Sequence, residues 1–439
     1  MIRRYRCVLL LLSACLSAQE PSGRLPAGGV LTLEKAVELA LDASAVIKKD
    51  AIALGLAKTD ADNLWAQIFP SINLSAGMNY DIPLRSGAPR NGPSYSASAG
   101  LTLDFSAALP YTMKNITLAY RQKLLTMEDA RRLLSLEIAR NYYSLAARGQ
   151  NLLVFGNAKK LAEEQMERDT AAWRNGYKGE LEYLQGRLSA ERAVLDYEKA
   201  LAEYRNAASE FRAALGLDDG EIRLSGAAEI RRIFPDPEKL IGEYLPRRPD
   251  LAAKQNAVER AAASKKQKTL SAKAPSLSIQ GSWGARASED FSWETDPSLS
   301  ASVRLNIPVS PWIPRTPRNS ELKAAAADVE IAKIEFEDAW AKAQREIRFL
   351  CANLETAWNG TELARLQLEI AGRGYELSEE AYRVGAMSFV DFEISRNRYT
   401  EARQGLLDAE LGYKLLVLDL AFALNISEPE LAGLSAEKR

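Results

Sequence analysis

Ser71-Ile72-Asn73-Leu74-Ser75-Ala76-Gly77-Met78-Asn79-Tyr80 alternates polar and apolar side chains without a lapse. Three further segments do the same. Tyr95, Ala97, Ala99, Leu101, Leu103 and Phe105 oppose Ser96, Ser98, Gly100, Thr102 and Asp104. Leu277, Ile279, Trp283 and Ala285 oppose Ser276, Ser278, Gln280, Ser282 and Arg286, with Gly281 as the one lapse. Leu299, Ala301, Val303, Leu305 and Ile307 oppose Ser298, Ser300, Ser302, Arg304 and Asn306. Successive side chains of a strand point to opposite faces, so each segment has an apolar and a polar side. A strand that crosses a bilayer needs about 9–11 residues, apolar toward lipid and polar toward a lumen. The smallest membrane barrels have about eight strands. Four strands per chain therefore predict that several chains share one barrel.

The 439 residues carry a formal charge of −1, with 26% charged and 47% hydrophobic residues. That length allows two or more domains, and the balance argues against wholesale disorder and gives no reason to expect nucleic-acid binding. Histidine is absent, which removes imidazole acid–base chemistry and the commonest metal ligand. No phosphate-binding glycine loop or nucleophile motif is present, so neither an enzyme nor a cofactor or metal site is expected.

The first residues read as a secretory signal spanning 1–18: Arg3, Arg4 and Arg6 form a basic region and Cys7 to Leu12 an apolar core. Two processing sites fit. Leu12-Ser13-Ala14-Cys15 resembles a bacterial lipobox, which would make Cys15 the lipidated first residue; cleavage after Ala18 is the other. No apolar run of about 18 residues follows, so no transmembrane helix is expected. Cys351, the remaining cysteine, reads as a small core residue of a helix.

Proline marks out the rest. None occurs from Tyr111 to Phe234 or from Arg318 to Glu428, and because proline breaks helix interiors both stretches predict long helices. Each is interrupted by a glycine in a similar setting, Trp173-Arg174-Asn175-Gly176 and Tyr382-Arg383-Val384-Gly385. A helix from Leu109 to Asn175 would run roughly 100 Å at 1.5 Å per residue. The two stretches repeat: a shift of 209 residues superposes Arg174 on Arg383, Gly176 on Gly385, Arg187 on Arg396, Tyr204 on Tyr413 and Ala214-Leu215 on Ala423-Leu424. Ala193, Tyr197, Ala200, Tyr204, Ala207, Phe211 and Ala214 step by four and three, the seam of a coiled coil, and Ala402 to Ala423 keep those steps.

The organisation this predicts is a linker at 19–30 and a first repeat at 31–218, holding a helix, strands at 70–81 and 94–106, and long helices at 109–175 and 178–216. A linker follows at 219–247. The second repeat, 248–427, holds a helix, strands at 275–286 and 297–309, and long helices at 317–384 and 387–425. A tail at 428–439 shows no packing signal. Thr32 is placed to cap the first helix, and Pro249 sits at a first helical position.

Leu31-Thr32-Leu33-Glu34-Lys35-Ala36, Arg247-Arg248-Pro249-Asp250-Leu251, the prolines Pro70 and Pro275 before strands, Tyr382-Arg383-Val384-Gly385 with Ser388 and Asp391, and Leu420-Ala421-Phe422-Ala423-Leu424 are specific through their order, spacing and twofold repetition. Together they resemble the TolC family of outer-membrane efflux proteins over roughly Leu31 to Ile426. The resemblance implies a mostly α fold with membrane β: a homotrimer, four strands per chain in one twelve-stranded barrel, and very long coiled-coil helices reaching through the periplasm. It implies a channel of a tripartite efflux or type I secretion system, in the outer membrane of a double-membraned bacterium. Its partners would be a periplasmic adaptor, a pump of RND, ABC or MFS type in the inner membrane, and outer-membrane lipid. One departure stands out. Many members carry an acidic-glycine-glycine turn after the second strand, whereas this chain has Ser106-Ala107-Ala108-Leu109-Pro110.

Site residues follow from that resemblance. Asp104, Arg286 and Arg304 would line the barrel lumen. Asp391 matches the position of an acidic residue that faces the lumen at the narrow inner end, and Glu182 is its repeat partner; Tyr382 and Arg383 would hold the closed state through contacts between helices. Gly176, Leu181, Gly385, Ser388 and Val390 would meet the adaptor at the tips. A periplasmic coiled-coil adaptor or scaffold lipoprotein is the competing reading, and it has no use for the four two-faced strands.

Overall fold

The computed structural model describes residues 30–80, 93–217, 222–225, 230–233, 235–287, 298–313 and 315–436. The signal region and Cys15 lie outside them. In chain order the first half runs β1 (Val30–Leu31), α1 (Leu33–Ala43), α2 (Ala45–Asp62), β2 (Ser71–Asn79), β3 (Ser94–Ser106), α3 (Leu109–Arg174) and α4 (Glu180–Leu215). Then come β4 (Arg223–Leu224), α5 (Pro237–Tyr244), α6 (Pro249–Lys273), β5 (Ser276–Ala287), β6 (Ser298–Asn306), α7 (Pro317–Arg383), α8 (Phe389–Leu424) and α9 (Glu428–Ala436). The chain divides into two compact units: Lys48–Ala130 with Ile241–Glu346, and Arg131–Leu240 with Ile347–Arg439 and the chain up to Ile47.

The first of these units holds an antiparallel sheet of order β2-β3-β5-β6. Register decides whether the four patterns add up, because a one-residue slip would turn a whole strand over. They add up. Asn73 pairs with Gly100 and Gly100 with Ser282, which pairs with Ser300; Leu74 pairs with Ala99, Ala99 with Trp283 and Trp283 with Leu299. One face is therefore polar in every row and the other apolar in every row. Serines pair across the polar face, Ser75 with Ser98 and Ser282 with Ser300, each at 2.7 Å. The apolar face lies bare, with Leu74 82% and Leu299 84% exposed. Among the described residues, the outer strands β2 and β6 each have one edge unpaired.

Where the family turn is missing, the chain crosses from strand to helix in two residues. The Ala108 N–H donates to Ser106 Oγ at 3.2 Å, and the Ala108 carbonyl takes the Thr112 N–H at 3.0 Å to begin α3. In the second half Arg315 adopts φ 67° and Thr316 caps α7 by accepting the Asn319 N–H. In the same unit Asn256 of α6 is buried and donates to the Leu118 carbonyl at 3.0 Å and to Gln122 Oε1 at 2.9 Å.

The other unit is helical and takes the coiled-coil seam as its frame. The parts of α3 and α7 from Arg131 and from Ile347 onward pair here with α4 and α8 of 36 residues each. Small residues accept aromatic rings: Gly156 faces Tyr197, Gly149 faces Tyr204 and Gly372 faces Tyr399, each ring carbon 3.5 Å from where a Cβ would stand. Burying a large apolar side chain contributes roughly 1.5–3 kcal/mol. A core of Leu31, Leu39, Ile138, Tyr142, Leu145, Phe211 and Leu215 joins α1 to the α3–α4 pair. The Tyr142 hydroxyl donates to the Leu31 carbonyl at 2.9 Å and accepts the Ser225 N–H at 3.1 Å, fastening the short β1–β4 ladder. Tyr413 does the same in the second half, donating to the Arg231 carbonyl and accepting the Ile233 N–H. Cys351 is buried, and burial, followed by the nearby Asp236 carboxylate, pushes its thiol up to about 11. Such a thiol stays protonated and inert.

Three segments differ from the sequence expectation. The first helix is two, α1 and α2, broken at Ser44, whose Oγ accepts the Ile47 N–H at 3.4 Å. The linker at 219–247 contains α5, which buries Leu240, Ile241 and Tyr244. The tail at 428–439 contains α9, held by the buried Leu431 and by the ion pair of Glu428 with Lys414. α5 and α9, of eight and nine residues, are too short for periodicity to announce them, and a few buried side chains hold each in place.

Candidate functional site

Both long helices end in the same device. Gly176 and Gly385 adopt φ of 74° and 77°. Glycine enters this left-handed region without a Cβ penalty, so it closes helices where the chain must reverse. The Tyr177 N–H returns to the Ala172 carbonyl at 2.9 Å, and the Ala386 N–H to the Ala381 carbonyl at 2.8 Å. A Cβ at either glycine would meet nothing within 4 Å, so the requirement is torsional. Stacked rings brace each turn from below: Trp173 on Tyr183 at 4.5 Å, Tyr382 on Phe392 at 4.9 Å.

The next helices start differently. Gly179 caps α4 with no side-chain bond, whereas Ser388 caps α8 by accepting the Asp391 N–H at 3.2 Å and donating from its hydroxyl to Asp391 Oδ2 at 2.7 Å. Asp391 therefore sits in the first turn of α8, where a carboxylate also gains from the helix dipole. Glu182 takes the same place in α4. Both carboxylates are exposed. Leu181 and Val390 beside them are 70% and 48% exposed.

Tyr382 reaches the other hairpin. Lys178 Nζ donates to its hydroxyl at 2.7 Å and pairs with Asp169 Oδ1 at 2.6 Å, with both charged side chains almost fully buried. Gln165 donates to the same Asp169 oxygen at 2.8 Å. The ammonium also lies over the rings of Phe389 and Tyr382, 5.0 Å and 5.4 Å from their centroids. Burial alone would lower the Lys178 pKa; the hydrogen bonds with Asp169 and Tyr382 and the Asp169 charge outweigh it and raise it. Burial likewise raises the Tyr382 phenol. Asp169 Oδ2 is buried without a hydrogen-bond partner, against Gly186, where a Cβ would stand 2.8 Å away. Arg383, expected to bridge helices, instead bonds Glu380 one turn back on its own helix at 2.6 Å in open solvent. One turn on, a second buried contact joins the hairpins: Arg396 donates to Ser189 at 2.7 Å and to Glu393 at 2.7 Å, and Ser189 donates to Glu393.

Sequence reading found Tyr382 and missed Lys178, Asp169 and Ser189. The signal available was the departure from the repeat: under the 209-residue shift Asp169 falls on Ser378, Lys178 on Met387 and Gly186 on Ser395. The lumen candidates stand in one unit on one face. Asp104 pairs with Ser278 and Ser278 with Arg304, so acid and base occupy a single cross-strand row, and Arg286 stands opposite Ser96.

The described residues thus hold a sheet with one apolar and one polar face, and long helix pairs closed by glycine turns. The chain belongs to the outer membrane efflux protein family, which it matches over residues 36–217 and 240–425. Among curated proteins none matches it in sequence. Its fold is similar to that of the CmeC outer membrane channel of Campylobacter jejuni (17% identity, TM-score 0.77, covering 92% of this chain and 89% of that one). It is also similar to the outer membrane protein VceC of Vibrio cholerae (15%, 0.75, 90% and 96%) and to the open state of the MtrE outer membrane channel of Neisseria gonorrhoeae (16%, 0.74, 90% and 89%).

Proposed function

We propose that three copies of the chain form one outer-membrane duct that conducts substrates delivered by a periplasmic adaptor and an inner-membrane pump of RND, ABC or MFS type. The single observation that carries this is the sheet: one apolar and one polar face, large apolar side chains such as Leu74 and Leu299 exposed, and both edge strands unpaired among the described residues. Contiguous apolar surface of this kind marks a lipid or protein contact, and closing a sheet on neighbouring copies removes its edges. A soluble adaptor would leave that face without a use. The work is conduction, not catalysis, and it calls for no cofactor.

In this reading the polar face, with Asp104, Arg286 and Arg304, lines the lumen, and Cys15 carries a lipid if the lipobox is used. Gly176, Leu181, Gly385, Ser388 and Val390 form the surface that the adaptor grips. Asp391 and Glu182 supply rings of carboxylates at the periplasmic mouth, which favour cations. Tyr382, through Lys178 and Asp169, holds the two hairpins of one chain together and keeps the mouth narrow; Arg383 stiffens its own helix end. Planar-bilayer recording of the purified oligomer tests this. Asp391→Ala should raise conductance or relieve cation block, with a smaller change for Glu182→Ala, and a protein that forms no pores would sink the reading.

A further inference from the structure

The apolar face of the sheet has a definable height. Tyr95, paired with Met78, stands near one end of it, and Phe105, in a row with Leu277 and Leu305, near the other. Ten residues separate Tyr95 from Phe105. At about 3.3 Å per residue they span roughly 33 Å. A barrel tilt of about 40° turns that into roughly 25 Å of height, the apolar band of an outer-membrane barrel. Phe105 therefore marks where hydrocarbon gives way to headgroups, on the side where the sheet passes into helices.

Below that line the composition changes. From Phe105 to Met127, from Arg260 to Ala287 and from Leu305 to Ser320 the chain carries lysines and arginines and no carboxylate. The whole chain has a formal charge of −1, so cations are gathered here rather than spread evenly. The carboxylates nearby in the chain are Asp60 and Asp62 at the end of α2.

Two of these lysines are seated on aromatic rings. Lys273, the last residue of α6, holds its ammonium 4.8 Å from the centroid of Trp312, in the short turn Ser310–Trp312 that follows β6. Seven residues earlier, Lys266 lies 5.6 Å from the ring centroid of Tyr111 in the first turn of α3. The Gln267 amide donates to Thr112 Oγ1 at 2.9 Å and fixes α6 against α3 at that level. Trp312 and Ile313 are exposed, as are Trp65 and Phe69 where the chain approaches β2. Arg315, three residues past Trp312, is exposed as well. Rings with an apolar body and a polar tip settle at the membrane–water boundary. A lysine whose stem lies along such surface lifts its charge into the headgroup layer.

We propose that this collar binds the phosphate of an anionic phospholipid in the leaflet that faces the periplasm. Lys273 and Arg315 meet it beside Trp312, and Lys266, about 10 Å further along α6, draws it in. Charge complementarity chooses the occupant. A zwitterionic headgroup brings an ammonium that these cations repel, whereas phosphatidylglycerol brings its phosphate alone. The site rests on the reading of the chain as a membrane channel and adds which lipid it selects, on which side and through which residues.

The test reconstitutes the purified full-length oligomer in vesicles of equal phosphatidylglycerol and phosphatidylethanolamine. It is then re-extracted in mild detergent, and the lipid that stays bound is quantified by class with mass spectrometry. Phosphatidylglycerol should dominate. Lys273→Gln, Arg315→Gln and Lys266→Gln should each lower its excess about fivefold, the worth of one cation at a membrane surface, and Lys273→Arg should keep it. Lys199→Gln makes the same charge change at an exposed residue of α4 and should leave the excess unaltered. Equal retention of the two lipids, or as large a loss from Lys199→Gln, overturns the site while the inserted oligomer keeps the channel reading standing. Displacement of the bound lipid by inorganic phosphate or by polyglutamate at matched charge overturns it in favour of a free anion or an acidic peptide. A chain that never enters the vesicles overturns the channel reading itself.

Discussion

The two hairpin tips share one backbone and differ in what lies beneath it. Each has a left-handed glycine, a returning N–H and a stacked aromatic pair, at positions related by the same shift of 209 residues. Just below, the first hairpin sets Asp169 against Gly186, where the second sets Ser378 against Ser395, joined by a hydrogen bond of 3.0 Å. The serine pair is self-sufficient. The buried aspartate is not, and its cation, Lys178, also donates to a tyrosine of the other hairpin. Duplication supplied two equal supports; divergence at three positions turned one of them into a fastening for the other.

The largest expected effect comes from Lys178→Met, which copies the second repeat. It strands the Asp169 carboxylate in a buried site, a loss of about 3–5 kcal/mol where one partner of a buried pair is removed. Hydrogen exchange at residues 165–190 and 375–396 should rise together, and bilayer conductance should increase. Adding Asp169→Ser and Gly186→Ser completes the swap. That triple variant should regain most of the thermal stability while keeping the two tips uncoupled; recovered coupling would show that Lys178 is not the fastener.

The same contact has a pH signature. The Lys178 pKa is raised above its ordinary 10.5 and the Tyr382 phenol is also raised. A group whose folded pKa lies above its unfolded value adds stability at lower pH and loses it as pH climbs through the folded value. Tip protection should therefore stay flat from neutral pH to about 10 and fall only beyond the ordinary lysine range. Loss of protection between pH 7 and 9 would contradict it.

Smaller changes sharpen the part the tips share. Gly176→Ala and Gly385→Ala should each cost roughly 1–2 kcal/mol from the left-handed backbone, and by equal amounts, since both sites are sterically open. Unequal melting shifts would mean that the turns are not equivalent. Ser388→Ala should cost about 1 kcal/mol as a lost cap, whereas Gly179→Ser should gain a few tenths. Circular dichroism melts of the two variants side by side decide this.

Much of the fold was legible because it rests on periodicity. Ile72, Leu74, Ala76 and Met78 need only a period of two to declare a strand with one apolar face, and the long proline-free stretches need only be read for what they lack. Tyr197 and Tyr204 were visible as seam residues from their steps alone. The breaks were not: Ser44 caps one helix with its backbone and the next with its side chain, and α9 is held by Leu431 and the ion pair of Glu428 with Lys414. At the tips, glycines and caps could be read, since a turn is local chemistry. Asp169 and Lys178 show in the sequence only as departures from the repeat, because their immediate neighbourhoods do not distinguish them from ordinary solvated charges. They matter through Tyr382, more than two hundred residues away along the chain.

What the chain determined by itself was therefore everything whose cause is local: strand faces, helix lengths, reversal points and the doubling of the whole plan. Only the tertiary structure decided the strand register that merges four patterns into one apolar and one polar face, the buried lysine bridge between hairpins, and the second contact of Ser189 with Arg396 and Glu393. Those depend on pairing between distant segments, and a pairing energy has no trace in the spacing of either partner taken alone.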